Sequence, residues 1–185
     1  MLHYTAFPFE RRAKECVVTG MQPERFDVSP TDRAASVREV DAHETALTYR
    51  AMAALRQGRA PLATVDSFVT WVNTQQRPEG YRLVARFAAG SDEAVAVAGF
   101  RRVHALLWGD CLYIDDLVTL PEGRGQSHAD ALFSWLIAEA QRLGCEQLHL
   151  DSGMQRHAAH RFYLNHRLAI TALHFQMAVE PGDGR

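Results

Sequence analysis

The chain contains one lysine, Lys14, so all but one of its 20 basic residues are arginines. That removes a Schiff-base lysine and a Walker-type phosphate lysine from any chemistry in the C-terminal part. Cysteine is scarce too. Cys16, Cys111 and Cys145 follow no ligand or disulfide spacing, and the apolar settings of Cys111 and Cys145 read as buried, reduced thiols of a cytoplasmic compartment. No apolar run reaches the ~18 residues of a membrane span, and no charged-then-apolar leader opens the chain, so neither spanning nor secretion is expected. The net charge of −2 carries no basic excess that would suggest nucleic acid. Internal repeats and low-complexity segments are also missing. What is there, 185 residues with 47% hydrophobic content, suits one globular domain with a real core.

Residues 1–33 show no clear period and read as an N-terminal arm, residues 34–180 as the domain, and 181–185 as a tail. Ala35 to Val40 is a short strand candidate. Asp41-Ala42-His43-Glu44 then has capping-box spacing, opening a helix over about 42–57 that Gly58 stops. A second helix over Thr64 to Thr74 turns Val65, Phe68, Val69 and Val72 inward. The period then changes to two: Tyr81, Leu83, Ala85 and Phe87 alternate with Arg82 and Arg86 in a half-buried strand. Ala94 to Trp108 is a longer strand in which Gly99 suggests a bulge, and Gly109-Asp110 forms a two-residue hairpin into the strand Cys111 to Thr119.

The stretch from Leu112 to Leu143 organises the rest. It reads as that strand, a turn at Pro121 and Glu122, and a helix beginning Arg124-Gly125-Gln126-Ser127-His128-Ala129. A helix start offers unpaired N–H groups and a positive pole, so small residues there suit an approaching phosphate. Ala129, Leu132, Phe133, Leu136, Ala140 and Leu143 give the helix one apolar face, and Gly144 supplies its stop. Glu146 to Asp151 is a further strand, Gln155 to Leu164 a helix, and Ala169 to Val179 a last strand. The order makes a mixed sheet with helices on both faces, an α/β or α+β layer fold.

The run Leu117-x-Thr119-x-Pro121-x-x-Arg124-Gly125-x-Ser127-x-Ala129, with Leu150-Asp151-Ser152-Gly153 leading to Ala159-x-x-Phe162-Tyr163, resembles the GNAT superfamily of acyl-CoA-dependent N-acyltransferases. The resemblance covers about residues 35–180 and implies a mostly antiparallel sheet of six to seven strands. It implies acetyl-CoA as co-substrate, with its diphosphate on the backbone amides of Arg124, Gly125, Gln126, Ser127, His128 and Ala129 and its pantetheine arm along Leu117, Val118 and Thr119. Ser127 departs from the family's usual glycine. Arg156 and the Arg167-Leu168 pair stand where many members have an asparagine and a Gly-Phe pair, which predicts a different turn after that helix. Tyr163 matches the tyrosine that protonates the departing thiolate.

Asp115 and Asp116 are candidates to orient a cationic amine and pass on its proton, Asp115 first because it falls two before the motif leucine, where the resemblance implies an acidic base. Simple alternation sends the two to opposite faces, so only one is expected to look into a given cleft. His149, Asp151, His157 and His160 have no recognised metal spacing, and no metal is expected. His160 or His174 is an alternative proton shuttle near Tyr163. The implied activity is N-acetylation of a primary amine of a small molecule or peptide by direct attack in a ternary complex. Asp115, Asp116 and Glu44 favour a cationic acceptor. The alternative is a non-catalytic acyl-CoA sensor or interaction module. A homodimer is possible, and neither nucleic acid nor membrane is an expected partner.

Overall fold

The computed structural model describes residues 35–179. The N-terminal arm with Lys14 and Cys16, and the C-terminal tail, lie outside the described residues.

Five strands form one sheet in the order β1 to β5: Ser36–Val40, Arg82–Phe87, Ala94–Ala105, Gly109–Thr119 and Gln147–Leu150. The first four pair antiparallel and β5 joins β4 in parallel, so the layered mixed α/β architecture is observed. The sheet has fewer strands than the six or seven expected. Residues 169–179 form no strand, and Ile170, Leu173, Phe175, Met177 and Val179 all stay exposed. Their alternation is strand-like, yet among the described residues no ladder takes them up.

Two cores sandwich the sheet. On one face Leu83, Ala85, Phe87 and Val97 meet α1 (Tyr49–Leu55) and α2 (Val65–Trp71) through Ala51, Met52 and Phe68. On the other, Val84, Ala98, Phe100, Leu112 and Ile114 meet α3 (His128–Arg142) through Leu132, Phe133 and Leu136. Each such α3 side chain contributes about 1.5–3 kcal/mol by leaving water, which holds the helix against the sheet. Strand β2 is thus covered on both faces, because Val84 is as buried as Leu83, rather than half-solvated as its arginines suggested. The helix α4 (His157–Asn165) packs Phe162 on the α3-side core.

Local chemistry moved several boundaries. The Asp41 carboxylate accepts from the amides of His43 and Glu44, but Glu44 is drawn to Arg38 instead of closing a capping box. The segment therefore starts as a 3₁₀ turn, Thr45–Thr48, and becomes α-helical only at Tyr49. A complete capping box sits at Thr64 and Ser67, heading α2. That helix passes into a π turn, Val72–Gln76, and Val65 lies toward solvent instead of inward. The β3–β4 hairpin closes at Ala105 and Gly109, so its loop is Leu106-Leu107-Trp108 with Gly109 at φ 66°, a three-residue connection in place of the expected two.

Gly99 marks a bulge, as expected, and the contacts show why it must be glycine. A Cβ there would lie 1.8 Å from the hydroxyl oxygen of Tyr81. Cys111 is buried and Cys145 only half-buried, both as free thiols, and burial pushes both thiols up in pKa. No helix among the described residues is long and apolar enough to cross a membrane.

Candidate active site

The site grows from an interruption in β4. Residues Cys111–Ile114 pair with β3 on one edge and with β5 on the other. Beyond Ile114 the ladder to β5 stops while the ladder to β3 continues to Thr119, so the edge from Asp115 to Thr119 is open among the described residues. Open strand edges carry unsatisfied backbone donors and acceptors. That edge borders a cavity of about 430 Å³ whose lining includes Leu117, Val118, Thr119, Gly125, Ser127, His128, Ala129 and Tyr163. Two stretches more than thirty residues apart in the chain are thereby brought together.

The turn that enters α3 is tighter than the sequence suggested. Pro121–Gly123 forms a 3₁₀ turn, and the helix proper begins at His128, after the segment Arg124–Ser127. The amide of Arg124 already donates to the Pro121 carbonyl at 3.3 Å, and that of Gly123 to Leu120 at 3.0 Å. Arg124 therefore has no free amide for a ligand, which corrects its expected place in the cradle. The amides of Gly125, Gln126, Ser127, His128 and Ala129 have no hydrogen-bond acceptor among the described residues, and the next bond is from Ala131 to Ser127. Five N–H groups without an acceptor among the described residues thus gather at the positive pole of a fifteen-residue helix, a setting that suits an anion on general grounds.

Gly125 and Ser127 both take left-handed conformations, at φ 76° and 56°. Glycine adopts this freely, whereas a residue with a Cβ gives up about 1–2 kcal/mol. Ser127 keeps the loop's shape at that cost. Arg167 does the same at φ 66° after α4, where the amides of Arg167 and Leu168 bond back to Leu164 and Tyr163. The turn there thus has the left-handed backbone that a glycine would supply, and Leu168 packs into the α3-side core.

Tyr163 projects from α4 into the same cavity, and its hydroxyl makes no hydrogen bond among the described residues. Burial raises the phenol above its ordinary value, with Arg156 opposing, so it stays protonated at neutral pH. His160 points to the Gly153 carbonyl and His174 pairs with Asp151. His149 stacks on Trp108, and no group of three metal-ligating side chains converges among the described residues.

The two aspartates overturn the alternation argument. Gly99 pairs with Asp116 and Phe100 with Ile114, which leaves Asp115 as the extra residue of the bulge. Ile114 and Leu117 both enter the α3-side core, so two residues rather than one stand between successive inward positions. Both carboxylates consequently lie on the face of α1 and α2. Asp116 is buried, with Oδ1 accepting from Arg56 Nε at 2.7 Å and Oδ2 from the Tyr81 hydroxyl at 2.8 Å. Asp115 meets Arg101 Nε through Oδ2 at 2.9 Å, and its Oδ1 makes no hydrogen bond among the described residues. Burial raises the Asp115 carboxyl above the usual aspartate range, partly offset by Arg101.

Arg56, Tyr81 and Arg101 were not legible in the sequence as parts of a site. Their partners lie far along the chain, and the isolated Gly99 was the one local signal of a close approach.

Comparison with known proteins adds an independent line. Residues 48–167 match the model of the Acetyltransferase (GNAT) family. A curated relative, the aminoalkylphosphonate N-acetyltransferase of Salmonella typhimurium, is 43% identical over 51 residues, 28% of this chain and 33% of that protein. The chain therefore aligns with about a third of that relative's length. An acetyltransferase of Trypanosoma brucei superposes with a TM-score of 0.61 at 18% identity, covering 80% of this chain and 99% of the other. AAC(6')-Iy, in complex with the bisubstrate analogue CoA-S-monomethyl-acetylneamine, superposes at 0.66 with 12% identity over 80% and 99%. At such identities the structural matches speak to the fold.

Proposed function

The chain belongs to the GNAT acetyltransferase family, and from that premise we propose that it transfers acetyl from acetyl-CoA to a primary amine by direct attack within a ternary complex. The observation that carries the reading is the shared cavity, in which Gly125, Ser127, His128 and Ala129, whose amides are unpaired among the described residues, and Tyr163 line one space beside an open strand edge. The diphosphate of CoA rests on the amides of Gly125, Gln126, Ser127, His128 and Ala129, each a charge-assisted bond about twice as strong as a neutral one. The pantetheine arm bonds along Leu117, Val118 and Thr119, completing the ladder that β5 leaves off.

In this mechanism Asp115 receives the amine proton, directly or through water, because its Oδ1 is free while both oxygens of Asp116 are engaged. Asp116 holds the bulge in place. A carboxylate near pKa ~4 is a weak base toward an ammonium near ~10, so desolvation must lower the amine first. Its raised pKa makes Asp115 a better proton acceptor than an exposed aspartate. Strand backbone groups polarise the thioester carbonyl, and Tyr163 donates to the sulfur as the thiolate leaves. Among the described residues no cysteine lines the cavity, and burial raises the pKa of both described thiols, which supports direct transfer over an acyl-enzyme.

The name of the Salmonella relative describes N-acetylation of a small amino compound, which supports a small-molecule acceptor. We read the enzyme as cytoplasmic and homodimeric, the latter checked by sedimentation equilibrium. The reaction itself is tested by following free thiol with acetyl-CoA and a panel of primary amines. Release of CoA with at least one amine is expected. CoA binding without turnover on any amine would instead mark a sensor on the same fold.

A further inference from the structure

A second cavity, of about 680 Å³, lies at the C-terminal end of α1, lined by Ala54, Leu55, Arg56, Gln57, Arg59 and Gln176. Its lining holds two guanidinium groups and two side-chain amides, and no carboxylate. Arg56 ties it to the bulge, since Nε donates to Asp116 and Nη2 to the Asp115 carbonyl at 2.8 Å, while Nη1 makes no hydrogen bond among the described residues. The side chain of Arg59 has no hydrogen-bond or ion-pair partner among the described residues. The acidic groups expected to attract a cation are already matched: Asp116 by Arg56 and Tyr81, Asp115 by Arg101, and Glu44 by Arg38. The uncommitted charge at this end of the site is therefore positive, the reverse of what the acidic residues suggested in the sequence.

We infer that the acceptor amine carries an anionic group, a phosphonate, phosphate or carboxylate, remote from its nitrogen, and that Arg59 with the free edge of Arg56 holds this group in the cavity. The inference rests on the acetyl-transfer reading. Arg56 spans from the cavity wall to the bulge, so a short chain anchored at Arg59 lays its amine toward the free Oδ1 of Asp115. The C-terminal pole of α1 opposes an anion with about half a charge, less than either guanidinium supplies. A planar guanidinium fork suits tetrahedral and carboxylate oxyanions alike. Leu117, Val118 and Thr119 of β4 line the co-substrate cavity, and Arg56 links the acceptor cavity to Asp115 and Asp116 of the same strand.

Two measurements separate this inference from the reading beneath it. In the first, propylphosphonate, which has no amine to acetylate, is titrated calorimetrically into the full chain saturated with CoA. Binding is expected, weakened about tenfold or more in Arg59→Ala and partly restored in Arg59→Lys, as the loss of one charge-assisted contact requires. No binding to the wild type, or equal binding to Arg59→Ala, overturns the inference whatever the catalytic result. In the second, 3-aminopropylphosphonate is compared with 3-aminopropanol. The phosphonate is expected to have the higher kcat/KM by about tenfold, with Arg59→Ala raising KM about tenfold more for the phosphonate than for the alcohol. Equal kcat/KM for the two amines overturns the inference. Propylphosphonate binding that depends on Arg59, without CoA release from any amine, would support the anion cavity and sink the acetyl-transfer reading.

Discussion

The two halves of β4 differ in what their backbone is used for. From Cys111 to Ile114 both edges are paired, Leu112 and Ile114 fill the α3-side core, and the strand is ordinary sheet. From Asp115 to Thr119 one edge is open, the phase of the side chains has slipped by one, and buried polar groups replace apolar ones. The difference is set by one inserted residue and by the glycine opposite it. A polar cluster in a sheet is tolerated only where every member has a partner, and Tyr81, Arg56 and Arg101 supply those partners. The first half is built of apolar packing, and the second holds the buried polar groups at the sheet's cost.

The largest expected effect comes from removing the room for the bulge. Gly99→Ala sets a methyl group against the Tyr81 ring and is expected to destabilise the fold by about 3 kcal/mol, read as a shifted urea midpoint. A volume-conserving substitution in the paired half, Leu112→Met, should cost well under half of that; a larger loss there would mean that the open half is not the strained one. Next come the two side chains proposed to carry the proton transfers. Tyr163→Phe is expected to lower kcat about 100-fold while leaving the Kd for CoA near wild type; equal losses in both would make the tyrosine structural.

Asp115→Asn is expected to lower kcat/KM by a similar factor and to flatten the acid limb of its pH profile. The sign follows from burial. A carboxyl whose folded pKa is raised keeps its proton to higher pH than in the unfolded chain, so its contribution to stability is present at low pH and is lost as pH rises through the raised value. Activity runs the other way and rises through the same window, above the ordinary aspartate range, as the base ionises. A limb unchanged in the asparagine variant would move the base elsewhere.

Tyr81→Phe leaves the Asp116 Oδ2 oxygen buried without a donor and is expected to cost about 1–3 kcal/mol, with a smaller change in turnover. The smallest effect tests the loop. Ser127→Gly relieves a left-handed residue and is expected to gain about 1 kcal/mol in thermal denaturation, with equal or tighter CoA binding. Weaker CoA binding in that variant would mean that the serine hydroxyl itself is a ligand.

Much of this molecule was legible in its sequence wherever the signal was local. The α3 stripe of Leu132, Phe133 and Leu136, the Gly144 stop and the glycine-marked bulge all follow from spacing. What could not be read depends on contacts distant in sequence. Glu44 could not be known to prefer Arg38 to its own helix, and a period-two argument cannot see an extra residue that puts Asp115 and Asp116 on one face. The final segment shows the opposite failure: Leu173, Phe175, Met177 and Val179 alternate like a strand, yet they join no ladder among the described residues, so the pattern alone does not make a strand. A count of carboxylates likewise says nothing about which arginines neutralise them, as Arg56, Arg101 and Arg38 do for Asp116, Asp115 and Glu44.

The central claim is that the amides following Pro121 cradle the co-substrate's diphosphate. Amide chemical shifts of the ¹⁵N-labelled chain, recorded during parallel titrations with CoA and with pantetheine, test it most directly. CoA is expected to move the signals of Gly125, Gln126, Ser127, His128 and Ala129 together with those of Leu117 to Thr119, whereas pantetheine moves only the strand signals. Loop amides that stay in place while CoA binds would contradict it.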